Sequence, residues 1–314
     1  MKNIIQTCIT VVTYTYLVIS FIGFVSNILL LIIFSRKKFQ NTVFSSYFRF
    51  ITIFNLISMI MPVNKFFEFN LNIYFKDIND SLCKFRMLTF YVLFPIYCWG
   101  LVIISIDRYL SIAFPNKFIF KKKLSFQIQV CCFILIFNII YYVPLLFSHV
   151  KETENFNKET NKTITIKTCV NNIYQKDLFN ALNTTVIPFL IMFLFTLLTL
   201  VKLFQSRQKQ VNNDSQKRTR VKDIRFAITS IALNFIFLFL NLPYGIFSIV
   251  NLYINGSINR DVDKLIQSIF FIFYYSNLIS VFFINITVNK IFRDELFLFY
   301  SKKIKYNLCC CRKK

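Results

Sequence analysis

The segment MLTFYVLFPIYCWGLVIISI, residues 87–106, contains twenty consecutive residues without a charge, and Asp107 and Arg108 follow it directly. A helix of about 20 apolar residues spans the hydrocarbon core of a bilayer, which is about 30 Å thick. A charge inside that core is costly, so the Asp-Arg pair must lie at the membrane boundary or have a function. The segment therefore predicts a transmembrane helix with an ionic pair at one end.

Six other stretches have the same apolar character, and 56% of the chain is hydrophobic while only four residues are glycine. A soluble core helix or a signal peptide would explain one such stretch, but not seven. We expect an all-α membrane protein, a seven-transmembrane helix bundle within residues 1–300. The predicted spans are 9–35, 44–66, 83–112, 124–149, 177–205, 219–251 and 263–289.

The basic residues indicate the orientation. Most of the 37 Lys and Arg residues fall in the connections on one side, and most acidic residues fall on the other. The positive-inside rule then places the amino terminus outside the cell and the carboxyl terminus in the cytosol, in a plasma-membrane protein. The net charge of +23 is explained by this topology and by attraction to anionic membrane lipid, rather than by a nucleic-acid partner.

Residues after the last span have two expected roles. Apolar residues at helical spacing predict a short amphipathic helix on the cytoplasmic surface over 290–300. The tail, residues 301–314, is basic and contains Cys309, Cys310 and Cys311, which suits palmitoylation beside a basic patch. Among the sequons, we expect glycosylation only at Asn161.

Two other cysteines, Cys83 and Cys169, fall on the outer side, where a disulfide is stable and could join the start of span three to the second outer loop. No Cys or His spacing suggests a metal site, and we expect no cofactor. The single histidine and the lack of acidic residues deep in the spans leave no acid–base pair, so we do not expect an enzyme. A transporter, which usually has intramembrane charges or paired repeats, is a remote alternative.

The sequence Asp107-Arg108-Tyr109 at the inner end of span three, twenty-five residues after Cys83, resembles the signature of the rhodopsin-like class of G protein-coupled receptors. The resemblance covers nearly the whole chain. Further landmarks are Asn27, Asn55, Pro188, Phe237 and Pro243 in spans one, two, five and six.

The resemblance implies a receptor that binds an extracellular ligand and activates a heterotrimeric G protein. It also implies that Asp107 and Asp223 hold Arg108 by ionic pairing and so close the cytoplasmic face, until an outward swing of span six frees Arg108. The alternative is that Asp107 and Arg108 only mark the edge of the membrane.

The chain departs from the family pattern at three polar positions. Asn55 stands where the family usually has a sodium-binding Asp, so we expect no regulation by sodium. Asn241 replaces the usual aromatic residue before Pro243, and the Asn-Pro-x-x-Tyr motif of span seven is replaced by a stretch ending in Asn285. Signal relay would then use Asn241, Asn277 and Asn285, or these residues only hold helices together.

The resemblance also narrows the ligand. Phe90 stands where amine receptors have Asp, and Tyr275 stands where opsins have the retinal lysine. The predicted pocket has a rim of mixed charge, which includes Lys65, Glu68, Asp177 and Lys264, and we expect a short peptide such as a neuropeptide. A chemosensory, lipid or nucleotide receptor is the alternative, and each rim charge taken singly could be merely solvated. The pocket candidates are Arg86, Phe90, Tyr91, Asn183, Asn251, Gln267 and Tyr274.

Overall fold

A computed structural model describes residues 2–40, 42–71, 73–114, 117, 120, 123–157, 162–171, 176–207, 214–254 and 260–311. Within these residues the fold is helical apart from one β-hairpin. The helices are α1 (Lys2–Phe34), α2 (Lys37–Gln40), α3 (Val43–Ser58), α4 (Ile60–Asn70), α5 (Asp80–Ala113), α6 (Leu124–Tyr141), α7 (Lys176–Ala181), α8 (Ile187–Arg207), α9 (Asp214–Ile254), α10 (Arg260–Val288) and α11 (Lys290–Cys311). The strands are β1 (His149–Asn157) and β2 (Lys162–Val170).

Seven helical stretches of the described chain are long and apolar enough to cross a membrane, which confirms the predicted fold class. The outer surface of the bundle is apolar: the side chains of Phe21, Phe133 and Phe239 are 70%, 69% and 78% exposed. In water such a surface would aggregate, whereas in lipid it is the expected one. The chain is therefore a multi-pass membrane protein. Its spans, one to seven, are Thr7–Phe34, Val43–Asn70, Asp80–Ala113, Leu124–Tyr141, Leu178–Gln205, Ile224–Val250 and Leu265–Val288.

Proline explains two irregularities within spans. Span two is interrupted at Met59, between α3 and α4, three residues before Pro62, which cannot donate the backbone hydrogen bond of a continuous helix. The carbonyl of Met59 accepts a hydrogen bond from Ser20 Oγ at 2.6 Å, which joins the break to span one. Span five has a π-helical turn, Leu182–Val186, directly before Pro188 in α8, and such turns are a usual accommodation of a helix irregularity.

Span four is shorter than predicted. The sequence suggested residues 124–149, but α6 ends at Tyr141, and a 3₁₀-helix follows over Val143–Phe147. Pro144 disfavours α-helical geometry at the residue before it. His149 then begins strand β1. The end of the predicted span is therefore apolar but not α-helical.

The β-hairpin is attached to the start of span three. Strands β1 and β2 pair antiparallel, with Val150 opposite Cys169, and the predicted disulfide between Cys83 and Cys169 is present. Asp80 accepts a hydrogen bond from the backbone N–H of Val150 at 2.7 Å, and Asp77 accepts one from the N–H of Cys169 at 2.6 Å. One covalent and two polar attachments thus fix the hairpin over one end of the bundle.

The helix after span seven is longer than the predicted 290–300, since α11 extends to Cys311. Its first turns are fastened to the α1–α2 connection by ion pairs: Glu295 lies 2.9 Å from Arg36 and 3.3 Å from Lys38. Phe292 is fully buried beside Phe34, with ring centroids 5.3 Å apart. This helix is therefore packed onto the end of the bundle opposite the hairpin.

Candidate functional site

Polar side chains in the interior join neighbouring spans near each end of the bundle and along its middle. We call these ends the hairpin end, where β1 and β2 lie, and the arginine end, where Arg108 lies.

At the arginine end, Asp107 and Arg108 are both buried, with 5% and 4% exposure, and form an ion pair with each other. The guanidinium carbon of Arg108 lies 5.2 Å from the ring centroid of Phe44 and 5.6 Å from that of Phe226. The two rings stack, with centroids 4.5 Å apart. A guanidinium over aromatic faces is held by cation–π attraction. Phe44 and Phe226, which we call the aromatic lid, join span two to span six next to Arg108.

The aromatic lid belongs to a larger cluster. Phe44 contacts Phe34 and Phe48, and Phe39 contacts Phe226, with centroid distances from 4.5 to 6.4 Å. Every one of these rings is buried. Sequence reasoning missed the lid, since among 41 phenylalanines nothing in the sequence distinguishes Phe44 or Phe226.

A second contact between helices lies close to Arg108. Asn234 in span six donates a hydrogen bond to Ser105 Oγ of span three at 2.8 Å and to Thr196 Oγ1 of span five at 2.7 Å. All three residues are buried. We call them the inner polar clasp. Next to it, the crevice between Arg108 and spans five and six has no room for a water molecule. The arginine end is therefore closed in this conformation.

The other residues predicted at this end lie in different places. Tyr109 packs against Phe195 of span five, with centroids 5.6 Å apart. Asp223 lies in α9, one turn before Phe226, but its side chain is outside the described part, so its pairing with Arg108 stays a prediction. The side chains of Cys309, Cys310 and Cys311 and the whole of Asn161 are also outside it.

Five of the predicted polar landmarks lie along the middle of the bundle. Asn55 is buried and its amide reaches Asn27 Oδ1 at 3.4 Å, joining spans one and two. Tyr97 of span three donates to Asn277 Oδ1 at 3.0 Å. Asn241 and Asn285 instead donate to carbonyls of their own helices, those of Phe237 and Val281. The proposed relay of Asn241, Asn277 and Asn285 is therefore not a connected network among the described residues.

At the hairpin end, a narrow cavity of about 10 Å³ lies between aromatic side chains. That volume is about the least that holds one water molecule. Two of the predicted pocket residues line it, Phe90 and Tyr274. The residues that sequence reasoning missed there are Phe94, Asn180, Tyr244 and Phe271.

Asn183 was predicted as a pocket residue, but it does not line this cavity. Its side chain is buried and bonds to Trp99 at 2.9 Å, to Asn138 at 3.1 Å and to Tyr142 at 3.2 Å. These bonds use both amide hydrogens and one lone pair of the amide oxygen, so Asn183 joins spans three, four and five. The π-helical turn of span five turns it toward span four.

Of the other pocket candidates, Tyr91 packs against Tyr142, with centroids 5.8 Å apart, and Gln267 donates to Asp263 in its own helix at 3.0 Å. The side chain of Asn251 is not described. Arg86 is part of a buried charged cluster with Lys65 and Glu68. Glu68 is only 5% exposed, so the alternative in which it is a solvated rim charge is wrong for this residue.

No group of three or more His, Cys, Asp or Glu side chains that could hold a metal ion occurs in the described part of the chain. The buried polar groups are mainly amides, hydroxyls and phenols, which form hydrogen bonds between the spans.

Comparison with known protein families gives one match. The family model described as 7 transmembrane receptor (rhodopsin family) matches residues 26–280. No curated protein matches the chain.

Proposed function

Since the chain belongs to the rhodopsin family of seven-transmembrane receptors, we propose that it transmits the binding of an extracellular ligand to a heterotrimeric G protein in the cytosol. The hairpin end faces outward and the arginine end faces the cytosol, in keeping with the concentration of Lys and Arg in the connections at the arginine end. The receptor acts at the plasma membrane and catalyses no reaction itself.

The observation that carries the proposal is the burial of Arg108 under Phe44 and Phe226. A buried guanidinium at a membrane boundary is costly unless it is held by partners, and here those partners are Asp107 of span three and the rings of Phe44 and Phe226 in spans two and six. An outward movement of span six removes Phe226 and opens the lid. Arg108 then becomes available to a G protein segment, and Asp223 supports the closed state from the same helix.

To transmit ligand binding, the bundle must adopt two conformations, and the ligand must bind one of them more tightly than the other. Coupling between sites is typically worth about 1 to 3 kcal/mol. The aromatic lid and the inner polar clasp each stabilise the closed state by a free energy of that order. An aromatic pair contributes about 0.5 to 1.5 kcal/mol beyond the effect of the surface that it buries, and a neutral hydrogen bond contributes about 1 kcal/mol. Ligand binding at the hairpin end therefore has enough energy to release them.

A short peptide is the ligand that this site supports best. The outer part of the bundle combines an aromatic cavity, lined by Phe90 and Tyr274, with charges of both signs at Lys65, Glu68 and Arg86. A peptide offers apolar side chains for the first and charged groups for the second. The hairpin fixed by Cys83 and Cys169 frames the entrance.

The test is nucleotide exchange in cell membranes that contain the receptor and a panel of G protein subtypes, with a library of short peptides. We expect exchange above background with at least one subtype, and its loss in Arg108→Ala. The matched control is Arg49→Ala, which removes a cation from span two that bonds Ser46 at 3.2 Å and leaves Arg108 in place.

A different outcome is no exchange with any peptide but a response to small volatile molecules, lipids or nucleotides. That result would show that the ligand belongs to the class that gives the response and is not a peptide. Exchange that Arg108→Ala leaves unchanged would contradict the role of Arg108 itself.

A further inference from the structure

Three charged side chains lie together inside the hairpin end, between spans two, three and seven. Lys65 Nζ lies 2.8 Å from Glu68 Oε2, and Arg86 Nη2 lies 3.9 Å from Glu68 Oε1. Their side chains are 17%, 6% and 12% exposed for Lys65, Glu68 and Arg86. We call these three residues the cation cluster, because two positive charges share one carboxylate.

The cluster has an excess of positive charge that no described side chain neutralises. Within the described residues, Glu68 is the only carboxylate in ion-pair contact with Lys65 or Arg86. Lys76 adds a further positive charge within electrostatic range. A buried charge without a counter-charge costs several kcal/mol. An anion placed at the cluster would remove this cost.

Two buried polar groups at the hairpin end have no hydrogen-bond partner among the described residues. They are Nε of Arg86 and the hydroxyl of Tyr275, a residue that is only 1% exposed. Arg86 Nη1 is directed to the sulfur of Met61 at 3.0 Å, and a thioether is a weak acceptor. The ring of Tyr275 contacts that of Tyr274, which lines the aromatic cavity, with centroids 4.8 Å apart, so both unused donors lie at this end of the bundle. What they lack is an acceptor, and a carboxylate supplies several.

The cation cluster adjoins the aromatic cavity. The guanidinium of Arg86 lies over Phe90 at 5.4 Å, and the ammonium of Lys65 lies over Phe271 at 5.6 Å. Phe90 and Phe271 are in edge contact, with centroids 5.7 Å apart, and both line the cavity. Because the cavity holds little more than one water molecule, a ligand has to separate these rings to place an apolar group among them and an anionic group on the cations.

We propose that Arg86, Lys65 and Tyr275 form the binding site for a carboxylate that is attached to an aromatic or aliphatic group. This deepens the proposed receptor function, on which it rests, by naming the chemical class of the ligand. The planar guanidinium of Arg86 suits a carboxylate, which it can bind through two parallel hydrogen bonds. The free carboxyl terminus of a short peptide and a small carboxylic acid are the two sources of this group.

The experiment compares acids with their amides on the purified full chain in lipid nanodiscs. The probes are N-acetyl-phenylalanine and N-acetyl-phenylalanine amide, which represent a peptide terminus, and 3-phenylpropionate and 3-phenylpropanamide, which represent a small acid. Binding is measured by thermal unfolding over a range of probe concentrations. We expect an acid to bind at least tenfold more tightly than its amide, and the pair with the larger difference identifies the source.

The variants separate the site from general electrostatics. Arg86→Gln should abolish the preference for the acid. Arg86→Lys keeps the charge but lacks the two parallel N–H donors of the guanidinium, so it should reduce the preference. Tyr275→Phe should weaken acid binding several-fold and leave amide binding unchanged. The matched control is Lys84→Gln, which removes a cation two residues from Arg86, forms no described ion pair and should keep the preference.

Equal affinity of the wild-type protein for each acid and its amide would overturn the proposed site. This result does not depend on the folding of any variant. Persistence of the preference in Arg86→Gln also overturns it. Binding here is independent of any G protein. Acid-selective binding without nucleotide exchange would therefore contradict the receptor function alone, and exchange without acid selectivity would contradict the site alone.

Discussion

Phe44 of span two and Phe226 of span six stack with their ring centroids 4.5 Å apart, and Arg108 of span three lies against both rings. Three spans thus meet at one buried cation. The rings keep water and protein partners away from the guanidinium, and the contact depends on span six keeping its present position. Separation of Phe44 from Phe226 is therefore the event that exposes Arg108.

Replacement of Phe226 by Ala should raise signalling in the absence of ligand. An aromatic pair contributes about 0.5 to 1.5 kcal/mol, so its loss shifts the equilibrium toward the open state by about two- to tenfold. Basal nucleotide exchange, normalised to surface expression, measures the effect. Phe235→Ala is the matched control, since Phe235 lies on the same helix and is 57% exposed on the outside of the bundle. Equal basal exchange in the two variants would show that the lid does not hold the closed state.

Thr196→Val should loosen the inner polar clasp. The valine side chain is of similar size but cannot accept the 2.7 Å hydrogen bond from Asn234, and one neutral hydrogen bond is worth about 1 kcal/mol. We expect basal exchange to rise about fivefold. Thr199→Val is the control, because Thr199, one turn further along the same helix, bonds only to the carbonyl of Phe195. A double-mutant cycle with Ser105→Ala tests whether the two residues act together, and strictly additive effects would argue against a shared clasp.

Glu295→Gln should release α11 from the bundle. The carboxylate of Glu295 holds Arg36 and Lys38 at 2.9 and 3.3 Å, and the neutral amide weakens both contacts. Hydrogen exchange should become faster in the first turns of α11, and the difference should shrink at high salt because these cations are partly exposed. The neighbouring Asp294 is exposed and forms no described ion pair, so Asp294→Asn should leave exchange unchanged. Unaltered protection in Glu295→Gln would mean that the buried Phe292 alone holds the helix.

Cys83→Ser and Cys169→Ser should each reduce delivery of the protein to the cell surface. The bridge closes a loop of 86 residues, and loss of a disulfide typically costs about 2 to 5 kcal/mol. Surface labelling against total protein gives the readout. Cys8→Ser is the control, since Cys8 is an exposed free cysteine. Normal delivery of both single variants would mean that Asp77 and Asp80 suffice to hold the hairpin.

Sodium should have no specific effect on the stability of the protein. Asn55 is neutral, and its amide is directed toward Asn27 and the carbonyl of Leu278, whereas a cation inside a membrane protein needs a negative partner. Exchange of sodium for choline at constant ionic strength should leave thermal unfolding unchanged in the wild type. In Asn55→Asp, sodium should stabilise the protein. A sodium-specific shift in the wild type would refute the expectation.

The sequence predicted the seven spans well because each span is a local property of twenty or so residues. The end of span four was placed too late because Val143–Phe147 is as apolar as the helix before it, and hydropathy does not register a change from an α-helix to a 3₁₀-helix. Asn183 was assigned to the pocket from its position along span five. The π-helical turn that directs it toward Trp99 and Asn138 has no signal of its own in the sequence beyond the nearby Pro188.

The sequence by itself determined that this chain crosses a membrane seven times, and its spacing of Cys83 and Arg108 indicated the receptor family. Only the tertiary structure decided which side chains meet, such as Phe44 with Phe226 and Asn234 with Thr196. The physical reason is that these two properties depend on different lengths of chain. Hydrophobicity acts residue by residue along one helix, whereas a contact between two helices depends on the rotation and tilt of both, which the packing of the whole bundle fixes.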